Sequence, residues 1–179
     1  MKITGKVRMV GFTSRLLGVL LIGIAVFGCM KDNDDSDGYD VEKQMEIDRE
    51  IIVNYIADND LDAAEINYGG YPSGVFYFNH EVADPEDTEK PISTSEVTVA
   101  YKGYLLDGTV FDSTPEGESI TFVLSGLIGG WQIGIPIMSR GDKLTLIIPS
   151  PLGYGPYEAG SIPANSVLLF DIELINFTN

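Results

Sequence analysis

The chain has 179 residues and is strongly acidic, with 27 Asp and Glu against 11 Lys and Arg and a formal net charge of −16 at pH 7. A surface of this charge repels phosphate backbones, which argues against a nucleic-acid partner. The chain has one cysteine and one histidine, so it can form no intrachain disulfide. His80 has neither a second histidine nor a nearby cysteine with which to bind a metal. We expect no metal site and no cofactor, the alternative being calcium bound by the carboxylates of the acidic run at 32–38.

The first 28 residues differ in character from the rest of the chain. Four basic residues precede an apolar run at 16–28 that is too short to cross a bilayer comfortably, and the run ends at Cys29. This layout resembles a bacterial lipoprotein signal, in which the cysteine becomes the lipidated first residue. We predict a signal peptide at 1–28, lipidation of Cys29 and a lipid anchor in the cell envelope, on the periplasmic or the outer face of the outer membrane. A single membrane anchor and an ordinary signal peptide are the alternatives.

An acidic run and a predicted helix follow. Residues 29–39 are rich in Asp and poor in apolar residues, which predicts a disordered tether. Residues 40–58 carry apolar side chains at spacings of three and four, as in a helix with one apolar stripe, and Asp40 is a suitable N-cap. The charged Asp48 falls within that stripe. We expect this helix to pack on the folded domain.

Strand patterns dominate the remainder of the chain. From Glu96 the side chains follow a period of two, and Leu106-Asp107-Gly108-Thr109 has the composition of a hairpin turn. Pro136 limits the length of the one short helix in this part. The predicted elements are a turn at 71–74, a strand at 75–82, an exposed loop at 83–93, a strand from residue 96, a short helix at 129–135, and strands at 144–148 and 167–175.

Six short motifs occur in a fixed order between residues 93 and 177. They include Gly-Gly-Trp-Gln-Ile-Gly at 129–134 and Ile-Pro-Ser-Pro-Leu-Gly-Tyr-Gly at 148–155. The ordered series closely resembles the FKBP-type peptidyl-prolyl cis-trans isomerases. The resemblance implies an α+β fold, in which a twisted antiparallel half-barrel sheet wraps around one short helix. We predict an isomerase domain at 93–179, preceded at 40–92 by an N-terminal helical extension and a leading strand.

The resemblance also implies which residues form the site. Phe111, Asp112 and Tyr154 receive catalytic roles, with Asp112 beside the twisting amide and the Tyr154 hydroxyl donating a hydrogen bond to a substrate carbonyl. The backbone N–H of Ile128 is expected to bind another carbonyl, and Trp131 to lie under the proline ring. The residues implied to bind substrate in an apolar cup are Tyr101, Ile120, Leu127, Ile128, Trp131, Ile162 and Phe170.

The activity that the resemblance implies is rotation about X–Pro peptide bonds, which assists the folding of envelope or exported proteins. The barrier to this rotation is about 18–20 kcal/mol. The twisted transition state has lost amide resonance and is less polar than the planar amide, so a dry apolar cup stabilises it selectively. The alternative is a weakly catalytic or non-catalytic chaperone module that binds proline-containing segments.

The helix at 40–58 has a second interpretation. Some FKBP-type proteins dimerise through an N-terminal helical extension, so this helix is also a candidate homodimer element. Because it lies outside the stretch that resembles the family, we expect it to be dispensable for catalysis.

Overall fold

A computed structural model describes residues 38–179, which form one compact unit. The predictions for the signal peptide, Cys29 and most of the tether lie outside the described residues. Between residues 38 and 179, no helix combines the length and the apolar composition needed to cross a membrane. The elements are α1 (Val41–Asp58), β1 (Ala64–Tyr68), β2 (Tyr71–Glu81), β3 (Glu96–Leu105), β4 (Val110–Ser113), β5 (Ile120–Val123), α2 (Gly129–Gly134), β6 (Lys143–Ile148) and β7 (Leu168–Thr178), with short 3-10 helices at Leu124–Gly126, Ile135–Ile137 and Ser150–Leu152.

The strands form one antiparallel sheet in the order β1-β2-β6-β7-β3-β4. β5 pairs with the start of β3, from Glu96 to Val99, and β4 pairs with its end, from Lys102 to Tyr104. The two short strands therefore occupy the same edge of β3 in succession. This sheet, with one short helix and a preceding N-terminal helix, confirms the predicted α+β fold.

Alternation along the strands divides the apolar side chains of the sheet between two clusters. On β7 the even-numbered residues from 168 to 174 join the larger cluster, which also contains Trp131 of α2. The prediction that these four side chains share one face is confirmed. Leu169 belongs to a second, smaller cluster together with Ile52 of α1. Helices α1 and α2 therefore cover opposite faces of the sheet.

Helix α1 lies where the sequence predicts it. The Asp40 side chain accepts a hydrogen bond of 3.0 Å from the Lys43 N–H, which confirms Asp40 as the N-cap. The face that packs on the protein buries Ile52 completely, and it buries Asp48 to the same extent. Burying a carboxylate is costly unless hydrogen bonds compensate. Asp48 must therefore have partners inside the protein.

The predicted turn at 71–74 is wrong, because these residues open β2 and the chain reverses just before them. Gly69 and Gly70 have φ values of 61° and 88°, in the left-handed region that glycine adopts without steric cost. They form a two-residue hairpin in which Tyr68 pairs with Tyr71. β1 was not predicted, and the two adjacent glycines are its sequence signal.

Strand β2 lies inside the sheet, between β1 and β6, so the sheet continues across the predicted domain boundary at residue 93. A buried carboxylate holds the end of β2 in place. Asp142, which is 1% exposed, accepts hydrogen bonds of 2.8 and 2.9 Å from the N–H groups of Ser139 and Ala83, and it lies 3.2 Å from His80 Nε2. Burial alone would raise the pKa of Asp142, but these hydrogen bonds outweigh it and lower the pKa. His80 of β2 is thus the half-buried partner of a structural carboxylate.

Candidate active site

Helix α2 brings Trp131 against the sheet. Two glycines of the Gly-Gly-Trp-Gln-Ile-Gly motif permit the close approach. A Cβ atom on Gly130 would lie 2.4 Å from Cγ2 of Ile148, and one on Gly134 would lie 2.4 Å from Cδ1 of Leu146. With the helix this close, the indole is only 4% exposed. The motif therefore places a large aromatic surface at the base of the fold's apolar cluster.

Aromatic rings meet Trp131 edge to face. The centroid of its ring lies 5.2 Å from that of Tyr101, 5.3 Å from Phe170 and 6.4 Å from Phe122, at interplanar angles of 87°, 88° and 86°. Phe111 meets Phe170 in the same way, at 5.4 Å and 80°. Such contacts set the positive edge of one ring against the negative face of the next. They hold the rings in a defined arrangement around the indole.

These rings line a cavity of about 210 Å³. That volume is several times the ~30 Å³ that one water molecule occupies in the liquid, so the cavity has room for a side chain of a bound polypeptide. The residues that line it are Tyr101, Phe111, Asp112, Phe122, Leu127, Ile128, Trp131, Tyr154 and Phe170.

Eight of the ten predicted site residues line this cavity, and Ile120 and Ile162 do not. Ile120 is 42% exposed near the sheet edge. It precedes Phe122 by two residues on β5, which puts it on the same face about 7 Å further along the strand. Phe122 thus takes the wall position expected of Ile120; because a period of two gives both residues the same face, alternation alone does not distinguish them. Ile162 is buried within the apolar cluster that contains Trp131. The catalytic and binding roles of the lining residues stay predictions.

A pair of polar side chains stands at the cavity. The Tyr101 hydroxyl donates a hydrogen bond of 2.5 Å to Oδ2 of Asp112. Burial, and then this hydrogen bond, raise the pKa of Tyr101 well above its usual range. The phenol therefore stays protonated at neutral pH and remains a donor to the carboxylate. Because that bond fixes one carboxylate oxygen, Asp112 has a defined orientation in an otherwise largely apolar lining.

Two further polar groups are available to a bound chain. Tyr154 lines the cavity while 41% of it remains exposed, so its hydroxyl is accessible. Ile128 is the N-cap of α2, and its carbonyl accepts from the N–H groups of Trp131 and Gln132. Across residues 38–179 no main-chain oxygen accepts a hydrogen bond from the Ile128 N–H. A polypeptide lying over the cavity could receive a hydrogen bond from each of these groups.

The arrangement is suited to binding and desolvation. Among residues 38–179 no three His, Cys, Asp or Glu side chains are grouped as a metal site. The lining offers an aromatic surface, one oriented carboxylate and two donors around an apolar space. Such a site can remove water from a peptide group and hold its neighbours. In such an environment the free-energy difference between a planar amide and a twisted one becomes smaller, because the planar amide is the more polar of the two.

Residues 87–175 match the family described as FKBP-type peptidyl-prolyl cis-trans isomerase. The FKBP-type peptidyl-prolyl cis-trans isomerase FkpA of Buchnera aphidicola subsp. Schizaphis graminum is 44% identical over 108 residues, which cover 60% of this chain and 42% of that protein. Outer membrane protein MIP of Legionella longbeachae is 40% identical over 107 residues, which cover 59% and 45%. The chain therefore matches less than half the length of these curated relatives.

Two solved structures are similar over a larger part of the chain. The peptidyl-prolyl cis-trans isomerase of Pseudomonas syringae pv. tomato has a TM-score of 0.61 at 28% identity, covering 79% of this chain and 98% of its own. FkpA from Escherichia coli has a TM-score of 0.58 at 32% identity, covering 76% and 64%. Taken together with the sequence match at 87–175, these similarities establish that the chain belongs to the FKBP-type peptidyl-prolyl cis-trans isomerase family.

Proposed function

We propose that this chain is a peptidyl-prolyl cis-trans isomerase, which catalyses rotation about X–Pro bonds and assists the folding of envelope or exported proteins. The observation that carries the proposal is the cavity. Trp131 is buried among aromatic rings, and Asp112 is held at the same cavity by Tyr101. Relatives that are named as isomerases support it.

The proposed mechanism needs no covalent step. A proline ring enters the cavity against Trp131, and the amide before it leaves water. Because resonance makes the planar amide more polar than the twisted one, desolvation raises the ground state more than the transition state. Lowering the barrier by about 4–7 kcal/mol in this way accelerates rotation about 10³–10⁵-fold. The Tyr154 hydroxyl and the Ile128 N–H hold neighbouring carbonyls, while Asp112 orients polar groups beside the amide.

The proposal is tested by measuring cis-trans exchange of a short proline peptide by NMR. We expect an exchange rate that rises in proportion to added protein. Peptide binding without a rise in rate would reject the enzyme and support the alternative, a chaperone module that holds proline-containing segments.

We further propose that the chain is lipid-anchored at Cys29 in the cell envelope. Three features motivate this proposal: the basic residues at the start of the chain, the short apolar run, and the cysteine that directly follows that run. In addition, one relative is named as an outer membrane protein. Replacing the thiol by a hydroxyl removes the acceptor of the lipid. In cells, Cys29→Ser should leave an uncleaved precursor that takes up no labelled fatty acid. Unchanged processing and labelling in that variant would contradict the anchor.

A homodimer through α1 is also a proposal. Val41, Ile47, Ile51 and Val53 leave apolar surface of this helix exposed after it has packed on the sheet. A second copy of the chain could cover part of that surface. Light scattering should give the mass of two chains, and an Ile47→Lys variant should give the mass of one; a monomeric parent would reject the dimer.

A further inference from the structure

The buried Asp48 of α1 contacts the segment that carries Tyr154. Its Oδ2 accepts a hydrogen bond of 2.6 Å from the backbone N–H of Ser150, which lies 102 residues further along the chain. Its Oδ1 accepts one of 2.8 Å from the Gln44 side chain, one helical turn earlier. Both Asp48 and Ser150 are fully buried. The carboxylate therefore uses one oxygen within its own helix and the other on the segment that leads to Tyr154.

Ser150 makes two of the hydrogen bonds within the Tyr154 loop, which we define as residues 150–155. Its carbonyl accepts hydrogen bonds from the N–H groups of Gly153 and Gly155, at 2.9 and 2.8 Å. These two glycines flank Tyr154 on either side. The position of Ser150 thus sets the backbone on both sides of the tyrosine, and Asp48 is the group that holds Ser150 by its N–H.

The same loop also contacts the start of α2. A Cβ atom on Gly129 would lie 3.1 Å from Cδ2 of Leu152 and 3.5 Å from its carbonyl oxygen. Gly129 directly follows Ile128, whose N–H is a proposed donor to the substrate. The loop that Asp48 holds therefore carries the first proposed donor and packs against Gly129, the neighbour of the second.

Helix α1 is fixed firmly enough to act as the support. Ile52, one turn after Asp48, is completely buried in the smaller apolar cluster. Arg49 donates two hydrogen bonds of 2.6 Å to the Glu65 carboxylate of β1, and Glu65 also accepts from the Gly74 N–H at 2.9 Å. The helix is thus tied to the sheet at points that do not involve the Tyr154 loop.

We propose that Asp48 is a positioning residue for the isomerase site: from α1 its carboxylate holds Ser150, and through Ser150 the loop that presents Tyr154. The inference rests on the proposed function, because it concerns the placement of a substrate-binding hydroxyl. It replaces the expectation that the N-terminal helix is dispensable for catalysis. A carboxylate in the apolar stripe of a packing helix is costly for stability. Its role in holding Ser150 gives a reason for Asp48 at this position.

The test compares Asp48→Ala and Asp48→Asn with Asp58→Ala, a matched change at an exposed carboxylate of the same helix. Residues 38–179 form one compact unit and are used throughout. Tyr154 would bind a carbonyl in both ground and transition states, so its displacement should raise KM and change kcat little. We expect KM to rise about tenfold in Asp48→Ala, which corresponds to ~1.4 kcal/mol and is about the contribution of one hydrogen bond to the substrate. Asp48→Asn, which keeps an acceptor oxygen, should show a smaller rise, and Asp58→Ala none.

Two further readouts separate positioning from loss of folded protein. Partial unfolding lowers apparent kcat and leaves KM unchanged, so that pattern in Asp48→Ala would overturn the inference. Amide hydrogen exchange at Gly153 and Gly155, followed by NMR, should become faster in both Asp48 variants and stay unchanged in Asp58→Ala. If Asp48→Ala does not fold, Asp48→Asn decides: parent-like KM and parent-like exchange reject the role. If the parent itself shows no isomerase activity, the proposed function fails, and the exchange rates still decide whether Asp48 holds the loop.

Discussion

Replacing Trp131 by leucine should lower kcat/KM for a proline peptide at least tenfold, which corresponds to ~1.4 kcal/mol of transition-state stabilisation. The indole contacts the rings of Tyr101, Phe122 and Phe170 edge to face. Leucine is smaller and leaves space beside all three, so water can enter and solvate the polar planar amide. The transition state then loses the preference that the dry cavity gives it. Steady-state kinetics on a short peptide measures the loss.

The control for Trp131→Leu is Tyr71→Leu, which changes an aromatic side chain that is exposed and does not line the cavity. It should leave kcat/KM unchanged. Because a large buried side chain is removed, Trp131→Leu should also cost about 2–3 kcal/mol of folding stability, so activity must be compared well below both melting temperatures. Parent-like kcat/KM in a folded Trp131→Leu protein would mean that the proline ring of the substrate does not bind against the indole.

Gly103→Ala should lower activity by displacing two of the rings that line the cavity. A Cβ atom there would lie 2.5 Å from Cε2 of Phe111 and 2.8 Å from Cε1 of Phe170. Both rings line the cavity, so a methyl group would push them into it. Overpacking of this kind costs about 1–3 kcal/mol of stability. We expect kcat/KM to fall about tenfold together with the loss of stability, as measured by kinetics and urea denaturation.

Gly126→Ala is the matched control for Gly103→Ala. A Cβ atom at Gly126 would meet nothing within 4 Å, and its φ is not in the left-handed region. The substitution should therefore preserve both stability and activity. If Gly103→Ala had the kcat/KM of the parent at a temperature where the variant is folded, the positions of Phe111 and Phe170 would not limit the reaction.

The elements that the sequence predicts best are those with strong local patterns. α1 has an N-cap at Asp40 and an apolar stripe, and β7 alternates regularly from Leu168 to Leu174. The short helix could be placed because Pro136 limits its length just after the Gly-Gly-Trp-Gln-Ile-Gly motif. In each case a local steric or hydrogen-bonding rule restricts the backbone, and tertiary packing agrees with it.

The features that the sequence did not predict depend on contacts between distant residues. Gly103 reads as an ordinary strand residue until Phe111 and Phe170 are placed against it. Asp48 interrupts an apolar stripe for a reason that lies 102 residues away, at Ser150. Ile120 was expected in the cavity wall from the resemblance alone, whereas in the folded chain it is Phe122 of β5 that lines the cavity.

The central claim is that this aromatic cavity, with Asp112 beside it, accelerates X–Pro rotation. NMR exchange spectroscopy on a proline peptide tests it most directly, with the parent protein and a Phe111→Ala, Asp112→Asn double variant whose fold is verified by circular dichroism. Uncatalysed exchange takes tens of seconds. We predict rapid exchange with the parent and a rate close to the uncatalysed one with the double variant. Equal exchange rates with the two proteins would contradict the claim and place catalysis elsewhere.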